Sequence, residues 1–254
     1  TKFAVVFLET QPALHSTAEN LNRQFVTLGQ GFWASSGKIN GVRSIDALKF
    51  LLTNPTNQSS DPLIIGKPGR SLAIPLSSAE WLSKRLPATG STSILPSFGN
   101  QTLNESTGQT SPLLPLDKKG RFANALLGQV IALSLNVRLQ EGFTQFGLSL
   151  ELCTQKSLSG PDKLIGTDDD ELDLAGPDRV VNSGDEKRRY TFSPVIFDAL
   201  CDLHLPHDIA GLLELANCAL AAEATGHASL ADIHAAVETA NSAFAEGRFC
   251  VPCN

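Results

Sequence analysis

The spacing of apolar residues changes several times along this chain, and each change predicts a different element. Phe3-Ala-Val-Val-Phe-Leu8 is an unbroken apolar run with β-branched and aromatic members, which predicts a buried strand. A polar stretch over 11–22 follows, then the Gly-rich segment 28–37, which predicts a loop whose Phe32 and Trp33 plug into the core. Ile45, Leu48 and Leu52 share a helical face, and Ser44 can cap a helix through about Thr53. Apolar residues at 63–65 and 71–74 flank Lys67-Pro-Gly-Arg70. Pro68 and Gly69 suit the two central positions of a type II turn, so a hairpin is predicted. Ser77-Ser-Ala-Glu80 has capping-box spacing and predicts a short helix ending before Pro87.

Residues 88–116 are rich in Ser, Thr, Pro, Gly and Asn and read as a long ordered loop or a flexible arm. Over 121–140, Phe122, Leu126, Ile131, Leu135 and Leu139 recur at helical intervals. Leu127, Val130 and Leu133 widen the apolar face, which predicts a helix deep in the core. Alternation over 143–152 predicts a strand. An irregular stretch over 157–189 carries an acidic run, Asp168 to Asp173, and a basic one, Lys187-Arg-Arg189. Three helices are predicted after it, over 193–202, 208–224 and 229–246, the last opened by Ser229 and Asp232 at capping-box spacing. The whole reads as one α+β domain over 1–254, with a small sheet and a long central helix. Its parts are a mixed α/β portion (1–156), an acidic/basic loop (157–190) and a C-terminal helical portion (191–254).

Composition narrows the class. Charged residues make up 18% of the chain, below the usual quarter, so the surface is expected to be rich in neutral polar groups. The formal net charge of −6 offers no basic stripe to displace counterions from phosphates, so nucleic acid is not an expected partner. The longest apolar stretch, 123–139, is broken by Asn124, Gln129, Ser134, Asn136 and Arg138, so no membrane span is expected. The chain starts at Thr1 and contains no methionine, which leads to the expectation of an exported protein whose signal segment has been removed. Asn57, Asn100 and Asn104 begin sequons in loop-like sequence.

Few residues suggest chemistry. Gly29-Gln-Gly-Phe-Trp-Ala34 fits a relaxed dinucleotide-binding pattern, but no βαβ unit follows it. A phosphate-binding loop at 31–38 has five residues between its glycines instead of four, and Ile39 where a hydroxyl should hold magnesium. No G-x-S-x-G or H-E-x-x-H occurs, and no catalytic residue is assigned. Asp168, Asp170 and Asp173 supply oxygens of the kind calcium takes, without the spacing of an EF-hand; pairing of the acidic run with Lys187 to Arg189 is the plainer expectation.

The five cysteines are the sharpest feature. If the last two helices form an antiparallel hairpin turning near Gly226, a rise of about 1.5 Å per residue returns the chain end beside Cys201, His204 and His207. Cys201, Cys250 and Cys253 then converge, with Cys153 nearby, while Cys218 sits mid-helix as a buried free thiol. Two readings follow. A disulfide from Cys201 to Cys250 or Cys253 would pin the tail and leave Cys153 a second partner. Alternatively, Cys201, Cys250, Cys253 and one of His204 or His207 would make a structural zinc site. Disulfides suit export better.

The segments Gly29-Gln-Gly-Phe-Trp33, Gly66-Lys-Pro-Gly-Arg-Ser71 and 120–136, with a C-terminal piece from Ser229 through Ala245, resemble secreted surface proteins of uncharacterised role from environmental bacteria. The resemblance implies export and a surface location, and it carries no active-site residues. The leading expectation is an extracellular or cell-surface structural protein that self-associates, with Phe3, Val5, Val6, Phe7 and Leu8 as a strand added to a neighbour's sheet. A secreted binding or adhesion module using the loops at 88–116 and 157–189 is the first alternative. A hydrolase with a dispersed carboxylate site is the second.

Overall fold

The computed structural model describes residues 23–54, 56–140, 142–179 and 186–253. The expected assembly strand at 3–8 lies outside them. The chain enters through β1 (Gln24–Phe25), makes one turn of helix α1 (Gln30–Trp33), a small hairpin of β2 (Lys38–Ile39) and β3 (Val42–Arg43), and then α2 (Ser44–Leu51). β4 (Leu63–Lys67), β5 (Arg70–Ile74), α3 (Ala79–Arg85), β6 (Gly99–Thr102) and α4 (Ala125–Leu139) follow. β7 (Glu151–Leu158), β8 (Glu171–Leu172) and β9 (Lys187–Thr191) lead into α5 (Pro194–Asp202), α6 (Ile209–Leu220), α7 (Leu230–Ala243) and a closing strand, β10 (Arg248–Val251). The architecture is α+β, as the patterning predicted.

α4 is the axis of the core. Eleven of its fifteen residues are buried, so it is apolar nearly all round, which is how a helix surrounded by other elements reads. It starts at Ala125 rather than Arg121. Asp117 and Arg121 close a turn, Leu116 bridges Phe122, and the Asn124 side chain then accepts the Leu127 amide as the cap. Two polar side chains inside this core are satisfied as a unit. Asn136 accepts from the Leu28 amide at 2.8 Å and donates to Asn241 Oδ1 at 2.9 Å, and Asn241 donates to the carbonyl of Gln129 at 3.0 Å. Nearby, Phe25, Phe143, Phe146 and Phe244 pack edge-on and tilted, with centroids 5.1 Å apart for Phe25–Phe143 and Phe146–Phe244.

The hairpin forms as predicted. β4 and β5 pair antiparallel from Leu63 opposite Ile74 to Lys67 opposite Arg70, which leaves Pro68 and Gly69 at the corner. Gly69 has φ +91°, the left-handed conformation that the third position of a type II turn demands. Residues 88–116 are an ordered connection: β6 runs parallel to β5, and the Asn100 side chain accepts from the Gly69 amide and the Ser71 hydroxyl. Asn57 and Asn104 turn their oxygens onto Ser59 and Ser106 amides, so all three exposed sequon asparagines organise local turns.

The structure corrects several boundaries. Ser44 is the first helical residue of α2 and not its cap; its hydroxyl donates to the Ser35 carbonyl. The Ser77–Glu80 capping box does not form, because a 3₁₀ turn (Leu76–Ser78) precedes α3 and Ser78 donates to the Leu103 carbonyl. The capping box at Ser229 and Asp232 does form. No strand runs through 143–150. That segment turns so that both Phe143 and Phe146 enter the aromatic cluster, and β7 begins only at Glu151. The C-terminal part is not wholly helical: β10 lies in the middle of the main antiparallel sheet, between β1 and β7, while β8 and β9 also pair with β7.

Candidate functional site

The cysteine region is built on the two central strands of the main sheet. Val251 of β10 lies opposite Cys153 of β7, and Cys250 lies opposite Thr154. Paired residues share a face and neighbours alternate, so Cys153 and Val251 stand on one face, Thr154 and Cys250 on the other. Pro252 turns the chain after Val251, and Cys253 closes a disulfide with Cys153 across a Cα–Cα distance of 5.1 Å. The pairing expected for Cys201 does not occur. Because β10 is a strand antiparallel to β7, its end is delivered to the start of β7 rather than to the end of α5.

The basic run clamps this tail. Lys187 and Arg189 project from alternate positions of β9. Lys187 donates to the Pro252 carbonyl at 3.1 Å and Arg189 to the Cys253 carbonyl at 2.9 Å; Arg189 also meets Glu151 at 3.4 Å. On the opposite face Arg248, only 4% exposed, donates to the Thr154 hydroxyl and carbonyl at 2.8 and 2.9 Å. Burial pulls its pKa down, with Arg188 adding to the effect. The signal for the tail clamp was present as the run of three basic residues, but the tail offers them main-chain carbonyls, which no side-chain pattern announces.

Among the described residues, no salt bridge joins the acidic run to Arg188 or Arg189, and Arg189 instead meets Glu151. Asp170 accepts from the Gly166 amide at 2.8 Å and from Gln24 Nε2 at 2.5 Å, and Asp173 from the Ala175 and Gly176 amides. Asp168 points to solvent. These carboxylates fold their own loop, and among the described residues no three His, Cys, Asp or Glu side chains converge as a metal site. The remaining candidates are dispersed. Cys250 is buried and its thiol is pushed up to about 11 by desolvation. Cys218 is half-buried rather than fully buried, with its pKa raised mainly by burial. Cys201 is exposed at the end of α5, its Sγ 3.2 Å from His207 Nε2. His204 is exposed beside it with φ +54°.

A pocket of about 320 Å³ opens against the disulfide, lined by Phe146, Gly147, Ser149, Glu151, Pro252 and the two bonded cysteines. Its lining is mixed, and its one carboxylate, Glu151, faces Arg189. The lining also includes the free Cys250, and a concave site with a few polar groups of this kind is a shape that can hold a small molecule. No helix of the described residues is long and apolar enough to cross a membrane. The fold and site together define an α+β protein whose main sheet is closed by a disulfide at its C-terminal strand. Comparison of the chain with protein-family models, curated proteins and solved structures gives no match.

Proposed function

We propose that this protein is an exported structural subunit of the extracellular space or cell surface, polymerised by strand addition. The observation that carries the reading is the arrangement of edges in the main sheet. The chain joins the sheet at one edge through β1, while at the other side of β7, among the described residues, β9 pairs with β7 alone. A donor strand at 3–8 of one copy, laid along Arg188 to Thr191 of the next, would extend the sheet head to tail. Such a contact is heterologous and need not close, which gives filaments. The fourteen residues from Glu9 to Asn22 can span at most about 50 Å, on the order of the width of a folded body this size. The Cys153–Cys253 bond supports a load-bearing role, since it ties the tail of β10 to β7.

The test is electron microscopy of native material from the producing cells, with a variant lacking residues 3–8. Filaments that vanish in the variant support the proposal; dispersed particles in the native material overturn it. A second reading, a secreted binding module, is favoured by the pocket beside the disulfide. It predicts a monomer whose melting temperature rises with a small ligand and does not rise in Glu151→Ala.

A further inference from the structure

We propose that Cys201 and His207 form a thiol–imidazole pair that exchanges with small disulfides, placing a mixed disulfide on Cys201. The inference is independent of the assembly reading. The pair spans the last turn of α5 and the connection to α6, with Sγ 3.2 Å from Nε2 and both side chains exposed. The imidazole is positioned from two sides. The Leu148 amide donates to the His207 carbonyl at 2.8 Å, and the Phe197 ring meets the imidazole edge-on with centroids 5.7 Å apart. The other four cysteines lack this combination. Cys153 and Cys253 are bonded to each other, Cys250 is buried, and Cys218 is half-buried.

The thiolate is the nucleophile in disulfide exchange, so a base within hydrogen-bond reach of an accessible thiol is the arrangement the reaction needs. With the proton of the imidazole on Nδ1, Nε2 takes the proton from Cys201 Sγ. The thiolate attacks one sulfur of a disulfide R–S–S–R, an Sγ–S bond forms and the R–S–S–R bond breaks. The departing thiolate takes the proton back from His207. The products are one mixed disulfide and one free thiol, with no net oxidation.

The surroundings select the charge of that disulfide. Asp198, one turn before Cys201, and Asp202, its neighbour, are both exposed; His204 and Asp208 lie in and at the end of the connection, and His227 stands 3.9 Å from Asp202. Two exposed carboxylates on the same last turns of α5 as the thiol, Asp198 and Asp202, favour encounter with a cationic disulfide over an anionic one.

The experiment treats the full chain with cystamine and, in parallel, with glutathione disulfide at low salt, and maps adducts by mass spectrometry across pH 5–9. One cystamine adduct on the Cys201 peptide is expected, forming faster than the glutathione adduct. Cys201→Ser should abolish it. His207→Gln should slow it by about tenfold or more at pH 7 and move its onset to higher pH, with an unchanged far-ultraviolet circular dichroism spectrum. Equal labelling of Cys218 or Cys250, or a His207→Gln variant with the original rate and pH profile, overturns the proposal.

Discussion

The side chain of Asn136 on the central helix donates to the side-chain oxygen of Asn241 on α7 across 2.9 Å, although 105 positions separate them. Asn136 is 0% exposed and also holds the main chain of Leu28, so one amide joins α4, α7 and the entry segment. Buried polar groups are stabilising only when they are fully partnered, and here each partner depends on the others.

Replacing Asn136 with Leu keeps the branched outline, adds bulk, and removes the partners of the Leu28 amide and of Asn241 Oδ1. Leaving two buried groups unsatisfied should cost roughly 2–5 kcal/mol. Ser134→Ala, which removes only a bond back to the Val130 carbonyl of the same helix, should cost much less. Urea unfolding of both variants separates the two cases by midpoint at constant slope.

Gly128→Ala tests whether α4 is limited by propensity or by packing. In an exposed helix the change would gain about 1 kcal/mol. Here the new methyl would run into the Ala88 side chain and Gln30 Oε1. Ala88 cannot rotate away, so the variant should instead lose about 1–3 kcal/mol, read as a lower thermal midpoint.

Removing the Cys153–Cys253 bond with a double alanine variant frees a link between residues 100 apart. The loss of stability should be about 2–5 kcal/mol, and non-reducing peptide mapping of the native protein should return the Cys153 and Cys253 peptides joined. Recovery of Cys201 in a disulfide-linked pair of peptides from freshly purified native protein would contradict this pairing.

Asp117 accepts from the Arg121 and Lys119 amides, the Arg121 guanidinium and the Thr89 hydroxyl at 2.8–2.9 Å. These bonds, that from the Arg121 amide foremost, hold its carboxyl far below the ordinary value of 3.8. A depressed folded-state pKa means the stabilisation is complete above the unfolded value and fades as pH falls below it. Asp117→Asn should therefore be less stable than the parent at pH 7, and the gap should narrow as pH is lowered from about 4 toward 2. A gap that is constant over this range would show that the charge contributes nothing.

Features set by neighbouring residues were legible in the sequence. Pro68-Gly69 requires a turn wherever it stands, so the β4–β5 hairpin could be read from a few positions. The apolar circumference of α4 announced a buried helix, and Ser229 with Asp232 closed the capping box three residues apart. Features set by competition between distant segments were not. The pattern over 143–152 alternates well enough for a strand, yet Phe143 and Phe146 are bent into a cluster with Phe25 and Phe244, whose approach no local window contains. Arg248-Phe-Cys-Val251 is too short to declare itself, and becomes a central strand only because β1 and β7 offer its amides and carbonyls partners on both sides. The cysteine pairing depends on that strand: once β10 lies antiparallel to β7, Cys253 arrives beside Cys153, and Cys201 is left facing His207. Local chemistry determined the elements, whereas the pairing of main-chain hydrogen bonds between segments far apart in the chain determined which side chains meet.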